Sequence, residues 1–481
     1  MTDRPLSTTS QPRAHDTALI NRRALGKAVM AILINSGISP LTAAQAAQTS
    51  RPIIVFVHGN FENAGFWQEL VWRFESNEYP PDRLSAFELA SPVAMSTGVG
   101  ANDKSGTPGR SSLDEATAAL ATHIASLDAV ERGERIVLVG HSRGGTIIRN
   151  YLARHGTTGV SKVVLCATPN HGLVSVPFNL DSEFNGQGHI MSALNASGRE
   201  TLAGVAYLTI RSDGRDKYFQ PTGRFFGAPN LNTGIGPESA ALEGATNIVI
   251  AGADHREVAL CEQAFSAMYH FITGEAVRRF DVTRQAEVVL SGRVVGYSGD
   301  DVSNRGLASA RLEIFAQDPK DGQRQDKPLL DAVLDSAGAW GPIRVGPATP
   351  LEFVVSVPGM PRVHIHRTAF ARSTGTVRLR PWRFGTALAA EGALVVRALT
   401  TLHRSATELS LLDLGNGSVL PAKPVQDGIN LPIEDPAIAS ISAFLAEPRL
   451  GRSLVARLRG EAITVRTWPY PEAVTVAEFG G

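Results

Sequence analysis

The stretch Gly140-His141-Ser142-Arg143-Gly144 has the residue types and spacing that nucleophilic catalysis by a serine requires. An apolar run at 136–139 precedes it and a helical pattern at 146–155 follows it. Strand, Gly-x-Ser-x-Gly and helix together predict a tight turn that lifts the serine hydroxyl above the end of a sheet strand. The pentapeptide alone is a weak signal, so the chain must also supply a base, an acid and donors for an oxyanion.

His255 is the candidate base. It stands in a polar segment between a predicted strand at 247–251 and a predicted helix at 258–272. A loop held by such a scaffold is where a catalytic side chain is usually presented. The alternative interpretation is a helix N-terminus in which His255 is incidental beside Asp254.

Two aspartates after the predicted strand at 205–210 are candidates for the acid that orients the base. Asp213 precedes Gly214, which is typical of an aspartate that caps a turn. We therefore assign Asp216 as the acid and keep Asp213 as the alternative. Asp254 ranks lower, because residues adjacent in sequence rarely present their side chains to each other.

The oxyanion donors are expected from two backbone segments. One N–H is that of Arg143, directly after the serine. The other comes from the loop His58-Gly59-Asn60-Phe61, which follows a continuous apolar run at 53–57. We choose the N–H of Asn60, with Phe61 second; the alternative is an ordinary glycine turn. The Arg143 side chain is expected at the pocket mouth, without a role.

With these residues in place, the chain resembles the α/β-hydrolase lipases and esterases over residues 51–274. The residues that carry the resemblance are His58-Gly59, residues 140–144, Thr168-Pro169-Asn170-His171-Gly172, Asp216 five residues before Pro221, and His255. The resemblance implies a Ser142, Asp216 and His255 triad in the family's order. Asp216 comes one strand later than the acid of the archaeal-type two-domain lipases, which the overall layout resembles.

Hydrophobic patterning supports that layout. Apolar strand runs alternate with helical patterns from residue 51 to about 274, which predicts a mostly parallel sheet flanked by helices, an α/β fold. After residue 278, short strand-like runs separated by Gly, Pro, Asp and Asn predict an all-β sandwich or barrel. We therefore expect an α/β-hydrolase catalytic domain at 47–278 and an all-β C-terminal domain at 279–481.

The N-terminus predicts export. Arg22-Arg23 within residues 21–27 resembles the twin-arginine signature, a modest apolar run follows at 28–34, and Ala44-Gln45-Ala46 has the pattern of a cleavage site. The apolar run is too short to span a bilayer. We expect a signal peptide at 1–46 and a periplasmic or extracellular protein; the alternative is a leader or short surface helix.

Composition limits the function classes. Of 481 residues, 43% are hydrophobic and 19% are charged, which is typical of a globular protein. Lys+Arg and Asp+Glu are both 46, so the balanced net charge does not favour nucleic-acid binding.

We expect no cofactor and no metal, because His364 and His366 share a predicted strand face without a third ligand nearby. Export would permit a Cys166–Cys261 disulfide, but free buried thiols are favoured.

The expected function is a secreted serine hydrolase that cleaves carboxylic esters. An apolar insertion at 173–198, either a lid or a packed surface segment, and the β domain favour lipid or other water-insoluble ester substrates. The β domain would then contact a lipid or polymer surface. The alternatives are a polyester depolymerase with the same triad and a surface-binding protein that keeps the hydrolase fold without catalysis.

Overall fold

The computed structural model describes residues 51–96, 109–127, 132–196, 200–223 and 228–381, and then 392–399, 409–411, 422–424, 440–445, 454–458 and 461–480. The predicted signal peptide at 1–46 lies outside the described residues. Within the described ranges, no helix is long and apolar enough to cross a membrane.

A six-stranded parallel sheet forms the first half, in the order β2-β1-β3-β4-β5-β8. Its strands are β1 Ile53–Val57, β2 Leu84–Phe87, β3 Ile136–His141, β4 Val160–Cys166, β5 Ala206–Ser212 and β8 Thr246–Ile250, with a small hairpin of β6 Thr222–Gly223 and β7 Ala228–Asn232. Alternate residues of β1 enter separate cores on the two faces, Phe56 in one and Val55 in the other. Burial on both faces explains the continuous apolar runs in the sequence.

Among the described residues, six α-helices accompany the sheet: α1 Gln68–Ser76, α2 Leu113–Ala125, α3 Arg143–His155, α4 His189–Leu194, α5 Glu257–Leu260 and α6 Glu262–Thr273. Ser112 begins α2 with a reciprocal capping box to Glu115. The single helix predicted at 258–272 is wrong, because Cys261 adopts an extended conformation (φ −71°, ψ 164°) between α5 and α6. Its carbonyl then accepts the N–H of Phe265 as α6 starts.

The second half is all β, as predicted, and it is a sandwich. Its strands are β9 Val288–Ser298, β10 Asp301–Gly306, β11 Arg311–Ala316, β12 Leu330–Val333, β13 Ala339–Val345, β14 Leu351–Ser356, β15 Arg362–Arg367, β16 Thr374–Leu379, β17 Gly392–Ala398, β18 Leu409–Leu411, β19 Ala422–Pro424, β20 Ser440–Leu445, β21 Leu454–Leu458, β22 Glu461–Val465 and β23 Ala473–Phe479. Strands β9, β10, β13 and β16 form one sheet, and β11, β14, β15, β17 and β23 belong to an eight-stranded second sheet. Apolar residues of both sheets, such as Leu290 and Phe353, share one core.

The sandwich packs on the parallel-sheet half through α1. Trp72 belongs to the sandwich's own apolar core, where its ring meets Phe370 edge-on at 6.3 Å between centroids. Its indole N–H donates to the carbonyl of Ser373 at 3.1 Å. Nearby, Arg372 Nε lies 2.6 Å from Glu75 Oε2. Trp72 is therefore a buried anchor between the two halves: it belongs to a helix of the first half and packs in the core of the second.

Replacing that anchor should destabilise the whole chain. Trp72 is 5% exposed, and truncating a buried aromatic to alanine costs about 3–5 kcal/mol. We expect Trp72→Ala to lower the free energy of unfolding by that amount in urea denaturation followed by circular dichroism. Val333→Ala is the control, because Val333 is 73% exposed and should change stability by less than about 0.5 kcal/mol. Similar losses in both variants would contradict the anchor.

Candidate active site

Ser142 occupies a strained turn between β3 and α3. Its backbone is at φ 51° and ψ −125°, a conformation that non-glycine residues rarely adopt. The flanking glycines permit the turn, because a Cβ on Gly140 would lie 2.7 Å from the N atom of Gly145, and one on Gly144 would lie 2.2 Å from the carbonyl oxygen of Val57. The turn therefore has the shape that the sequence predicts, and the serine stands at the carboxyl end of a central strand.

The loops after β5 and β8 bring Asp216 and His255 together. Asp216 Oδ2 lies 2.7 Å from His255 Nδ1, and Asp216 Oδ1 accepts the backbone N–H of Tyr218 at 3.0 Å. Both side chains are buried, and the Tyr218 ring packs edge-on against the imidazole with centroids 4.5 Å apart. This contact fixes Nδ1 as the protonated ring nitrogen and leaves Nε2 as the nitrogen that can take a proton.

The carboxylates of the other two aspartates, Asp213 and Asp254, accept hydrogen bonds from backbone N–H groups instead. Asp213 Oδ1 accepts the N–H of Arg215 at 3.1 Å, and its Oδ2 accepts the N–H of Gly252 at 3.0 Å. Asp213 thus caps its turn and joins the β5 loop to the β8 loop. Asp254 Oδ1 accepts the N–H groups of Arg256 at 2.8 Å and Glu257 at 2.9 Å, just before and at the start of α5. Of the three aspartates that the sequence offered, Asp216 is the one against the His255 ring.

Burial lowers the pKa of His255, and this outweighs the opposing effect of the Asp216 charge. A histidine that acts as a base must be neutral, and its ordinary pKa is about 6.5. We therefore expect the acid limb of kcat/KM for a soluble ester to have its midpoint below pH 6.5, so that activity persists into mildly acidic buffer. A pH–rate profile measures it, and a midpoint above pH 7 would contradict this environment for the base.

The loop after β1 lies directly against Ser142. A Cβ on Gly59 would be 3.0 Å from Ser142 Cβ, so a glycine is needed for this close approach. Asn60 Oδ1 accepts the N–H of Ala94 at 2.8 Å, and this bond fixes the position of Asn60. The backbone N–H of Asn60 is the one that we assign to the oxyanion. Phe61 follows with a positive φ of 63°. The assignment of the Asn60 and Arg143 N–H groups to the oxyanion hole stays a prediction.

The structure adds two residues that the sequence did not single out as partners. Glu62 Oε2 accepts the N–H of Gly59 at 2.8 Å and lies 2.9 Å from His141 Nδ1. His141 Nε2 lies 2.7 Å from the carbonyl oxygen of His255. Burial alone would raise the pKa of Glu62, but the His141 contact, the charge of Arg256 and the Gly59 N–H lower it to about 2. The only sequence signal was the position of His141 beside the serine.

The Arg143 side chain is not at a pocket mouth, and that expectation is wrong. It is fully buried and forms a two-point ion pair with Glu183, with Nε–Oε2 and Nη2–Oε1 both at 2.9 Å. Its remaining N–H groups donate to Ser111 and to the carbonyl of Pro92. Glu183 belongs to the apolar insertion, whose Phe184 joins the main core. At these positions the insertion is packed against the turn that carries Ser142.

With this geometry established, residues 54–314 match the family model described as "Alpha/beta hydrolase family", which is more than half of the chain. The chain belongs to the alpha/beta hydrolase family. Residues 286–384 match a second model, "Lipase C-terminal domain", within the sandwich. The protein is thus an alpha/beta hydrolase whose β half contains a segment similar to lipase C-terminal domains.

Solved structures similar to this hydrolase include a lipase, BlEst2 in mature form from Bacillus licheniformis, at 18% identity over 46% of this chain and 92% of that chain, with a TM-score of 0.33. Phospholipase PlaB from Legionella pneumophila is 13% identical over 70% of this chain and 97% of that chain, with a TM-score of 0.32. Esterase RhEst1 from Rhodococcus sp. is 17% identical over 47% and 91%, with a TM-score of 0.29. Among curated proteins, none matches this chain.

Two further groups of side chains, a histidine pair and two cysteines, were candidates for metal binding or for a disulfide. His364 Nδ1 lies 2.6 Å from Glu352 Oε1, a partner that the sequence does not indicate, and His366 lies on the same strand. In the part of the chain that the structure describes, no group of three or more His, Cys, Asp or Glu is arranged to hold a metal. Cys166 and Cys261 are free thiols, and burial raises the pKa of both.

Proposed function

We propose that this hydrolase cleaves carboxylic esters through an acyl-enzyme on Ser142. The observation that carries the proposal is the buried 2.7 Å contact between Asp216 Oδ2 and His255 Nδ1, in loops at the same sheet edge as the Ser142 turn. A serine hydroxyl is a weak nucleophile until a neighbouring base takes its proton, and the base needs a fixed tautomer to do so.

The first half-reaction makes the acyl-enzyme. Ser142 Oγ attacks the ester carbonyl carbon while His255 Nε2 accepts its proton, and Asp216 stabilises the imidazolium that forms. The carbonyl oxygen becomes an oxyanion, for which the N–H groups of Asn60 and Arg143 are the proposed donors. The intermediate then expels the alcohol, whose oxygen takes the proton from His255, and the acyl group stays on Ser142.

The second half-reaction restores the enzyme. Water gives a proton to His255 Nε2 and attacks the acyl carbon, so the same oxyanion site is used again. The bond to Ser142 Oγ breaks, His255 returns its proton to that oxygen, and the carboxylic acid leaves. Ser142, His255, Asp216, the two N–H donors and water account for every bond and proton in these steps, so the proposed reaction needs no cofactor.

The substrates we propose are lipids or other water-insoluble esters. The match of residues 286–384 to a lipase C-terminal domain model supports a β domain that contacts a lipid or polymer surface. Export by the twin-arginine-type segment at 1–46 would place the enzyme in the periplasm or outside the cell. Rates on p-nitrophenyl esters from C2 to C16 and on a solid polyester film distinguish a lipase, a short-chain esterase and a polyester depolymerase.

A fluorophosphonate probe tests the catalytic proposal directly. We expect one probe per folded chain, found on Ser142 by peptide mass spectrometry, and no labelling of Ser142→Ala or of urea-unfolded protein. Correctly folded protein that takes up no probe and hydrolyses no ester would contradict the proposal, and would favour a surface-binding protein that keeps the fold without catalysis.

A further inference from the structure

Three segments that the mechanism uses meet at one pair of buried side chains, Glu62 and His141. Glu62 follows the oxyanion loop and accepts the N–H of Gly59 at 2.8 Å. His141 precedes Ser142 in the nucleophile turn. The ring of His141 links Glu62 to the loop that carries His255. Its Nδ1 is 2.9 Å from Glu62 Oε2, and its Nε2 is 2.7 Å from the carbonyl oxygen of His255.

The partners of His141 determine what its ring does. A carboxylate and a backbone carbonyl are both acceptors, so the ring satisfies the two contacts by donating from both nitrogens, which is the imidazolium form. The His141 and Glu62 side chains are only 1% and 7% exposed, so the two charges compensate each other away from water. Phe66 stacks on the His141 ring with centroids 4.5 Å apart and an interplanar angle of 17°, a favourable arrangement for a cationic ring.

Glu62 also has contacts with Arg256 and with the sandwich. Arg256 Nε lies 3.5 Å from Glu62 Oε1. The backbone carbonyl of Glu62 accepts the side-chain amide of Asn304 at 2.8 Å, and the same amide donates to the carbonyl of Leu89 at 3.0 Å. Asn304 lies on β10 of the sandwich. The carboxylate that contacts the oxyanion loop therefore has a fixed position relative to both domains.

We propose that Glu62 and His141 are positioning residues, which set the distance between the oxyanion loop, Ser142 and the backbone of His255. The inference rests on the proposed function. Neither side chain touches the substrate in this role. A displacement of about 1 Å among reacting groups can cost about 100-fold in rate, so a pair that fixes three segments at once has a large effect on kcat.

Glu62→Gln is the first test. Glutamine keeps the size, and its carbonyl oxygen can take the place of Oε2, but the substitution removes the negative charge that compensates the His141 ring and places an NH₂ group opposite Arg256. For p-nitrophenyl acetate we expect kcat to fall about 100-fold with KM changed less than threefold, and fluorophosphonate labelling to slow in proportion while still reaching one probe per chain.

Glu352→Gln is the matched control. Glu352 is also a buried glutamate, with a histidine nitrogen 2.6 Å from its Oε1, and its pKa is likewise lowered to about 2. It lies on β14 in the sandwich. We expect this variant to lose stability in urea and to keep kcat within twofold. An equal loss of kcat in both variants would mean that general destabilisation, not positioning, explains the effect.

The pH profile gives a second, independent signature. The charge of Glu62 raises the pKa of His255 and that of His141 lowers it. Glu62→Gln should therefore move the acid limb of kcat/KM to lower pH, and His141→Gln should move it to higher pH. The other ionisable groups near His255 are constant in both variants: Asp216 and Tyr218 from the β5 loop, and Asp254 and Arg256 from its own loop.

The outcomes are separable from those of the proposed function. Wild-type protein that neither labels nor hydrolyses esters contradicts the triad. An active wild type with a folded Glu62→Gln that keeps kcat within threefold overturns the positioning pair alone. If Glu62→Gln does not fold, His141→Gln decides by the same criteria, and an unshifted or downward-shifted acid limb in that variant also overturns the pair.

Discussion

Ser142→Ala is expected to lower kcat for a soluble p-nitrophenyl ester by about 10⁴–10⁶-fold while the chain stays folded. The variant removes the oxygen that is proposed to form the acyl-enzyme, so the remaining activity is expected from water attacking a substrate bound at the proposed oxyanion site. Alanine accepts the positive φ of this position about as poorly as serine does, so the unfolding free energy should change little. Steady-state kinetics and urea denaturation measure the two quantities.

Ser161→Ala is the control for this variant. Ser161 lies on the neighbouring strand β4, where its hydroxyl donates to the carbonyl of Ile136 at 2.9 Å. Losing that bond should cost about 1 kcal/mol of stability and leave kcat within twofold. If Ser142→Ala kept more than a hundredth of the wild-type kcat, another nucleophile would have to be sought.

The large elements were predictable because their signals are local. A continuous apolar run predicts a strand buried on both faces, and Gly-x-Ser-x-Gly between such a run and a helical pattern predicts the turn around Ser142. The Ser112 capping box likewise carries its own chemistry within four residues. The break at Cys261 was missed, because nothing in its immediate neighbourhood, neither Gly nor Pro, marks the end of a helix.

Pairing between distant side chains was not predictable. Glu62 and His141 are 79 residues apart, and Arg143 and Glu183 are 40 apart. Whether charged groups at such separations meet depends on the exact crossing of loops above the sheet, which no periodic pattern encodes. The same limit explains why the sequence could rank Asp216 above Asp213 but could not show which carboxylate lies against the His255 ring.

Those two aspartates give the second large expected effect. Asp216→Asn keeps the size of the side chain but replaces the carboxylate that accepts from His255 Nδ1. An amide there can donate its own N–H to Nδ1, which favours the tautomer with the proton on Nε2, the nitrogen that must receive the Ser142 proton. We expect kcat to fall about 10⁴-fold with a small change in KM. Kinetics on p-nitrophenyl butyrate measure it.

Asp213→Asn is the matched comparison, because it makes the same chemical change three residues away. Its amide oxygen can still accept the N–H of Arg215 and cap the turn, whereas the contact with the N–H of Gly252 loses its carboxylate oxygen. We expect a modest loss of stability and kcat within threefold. A large loss of kcat in Asp213→Asn, together with a nearly unchanged kcat in Asp216→Asn, would reverse the assignment of the acid. Equal damage in both would mean that the β5 loop acts as a unit, in which the cross-loop contact of Asp213 holds Asp216 against the base.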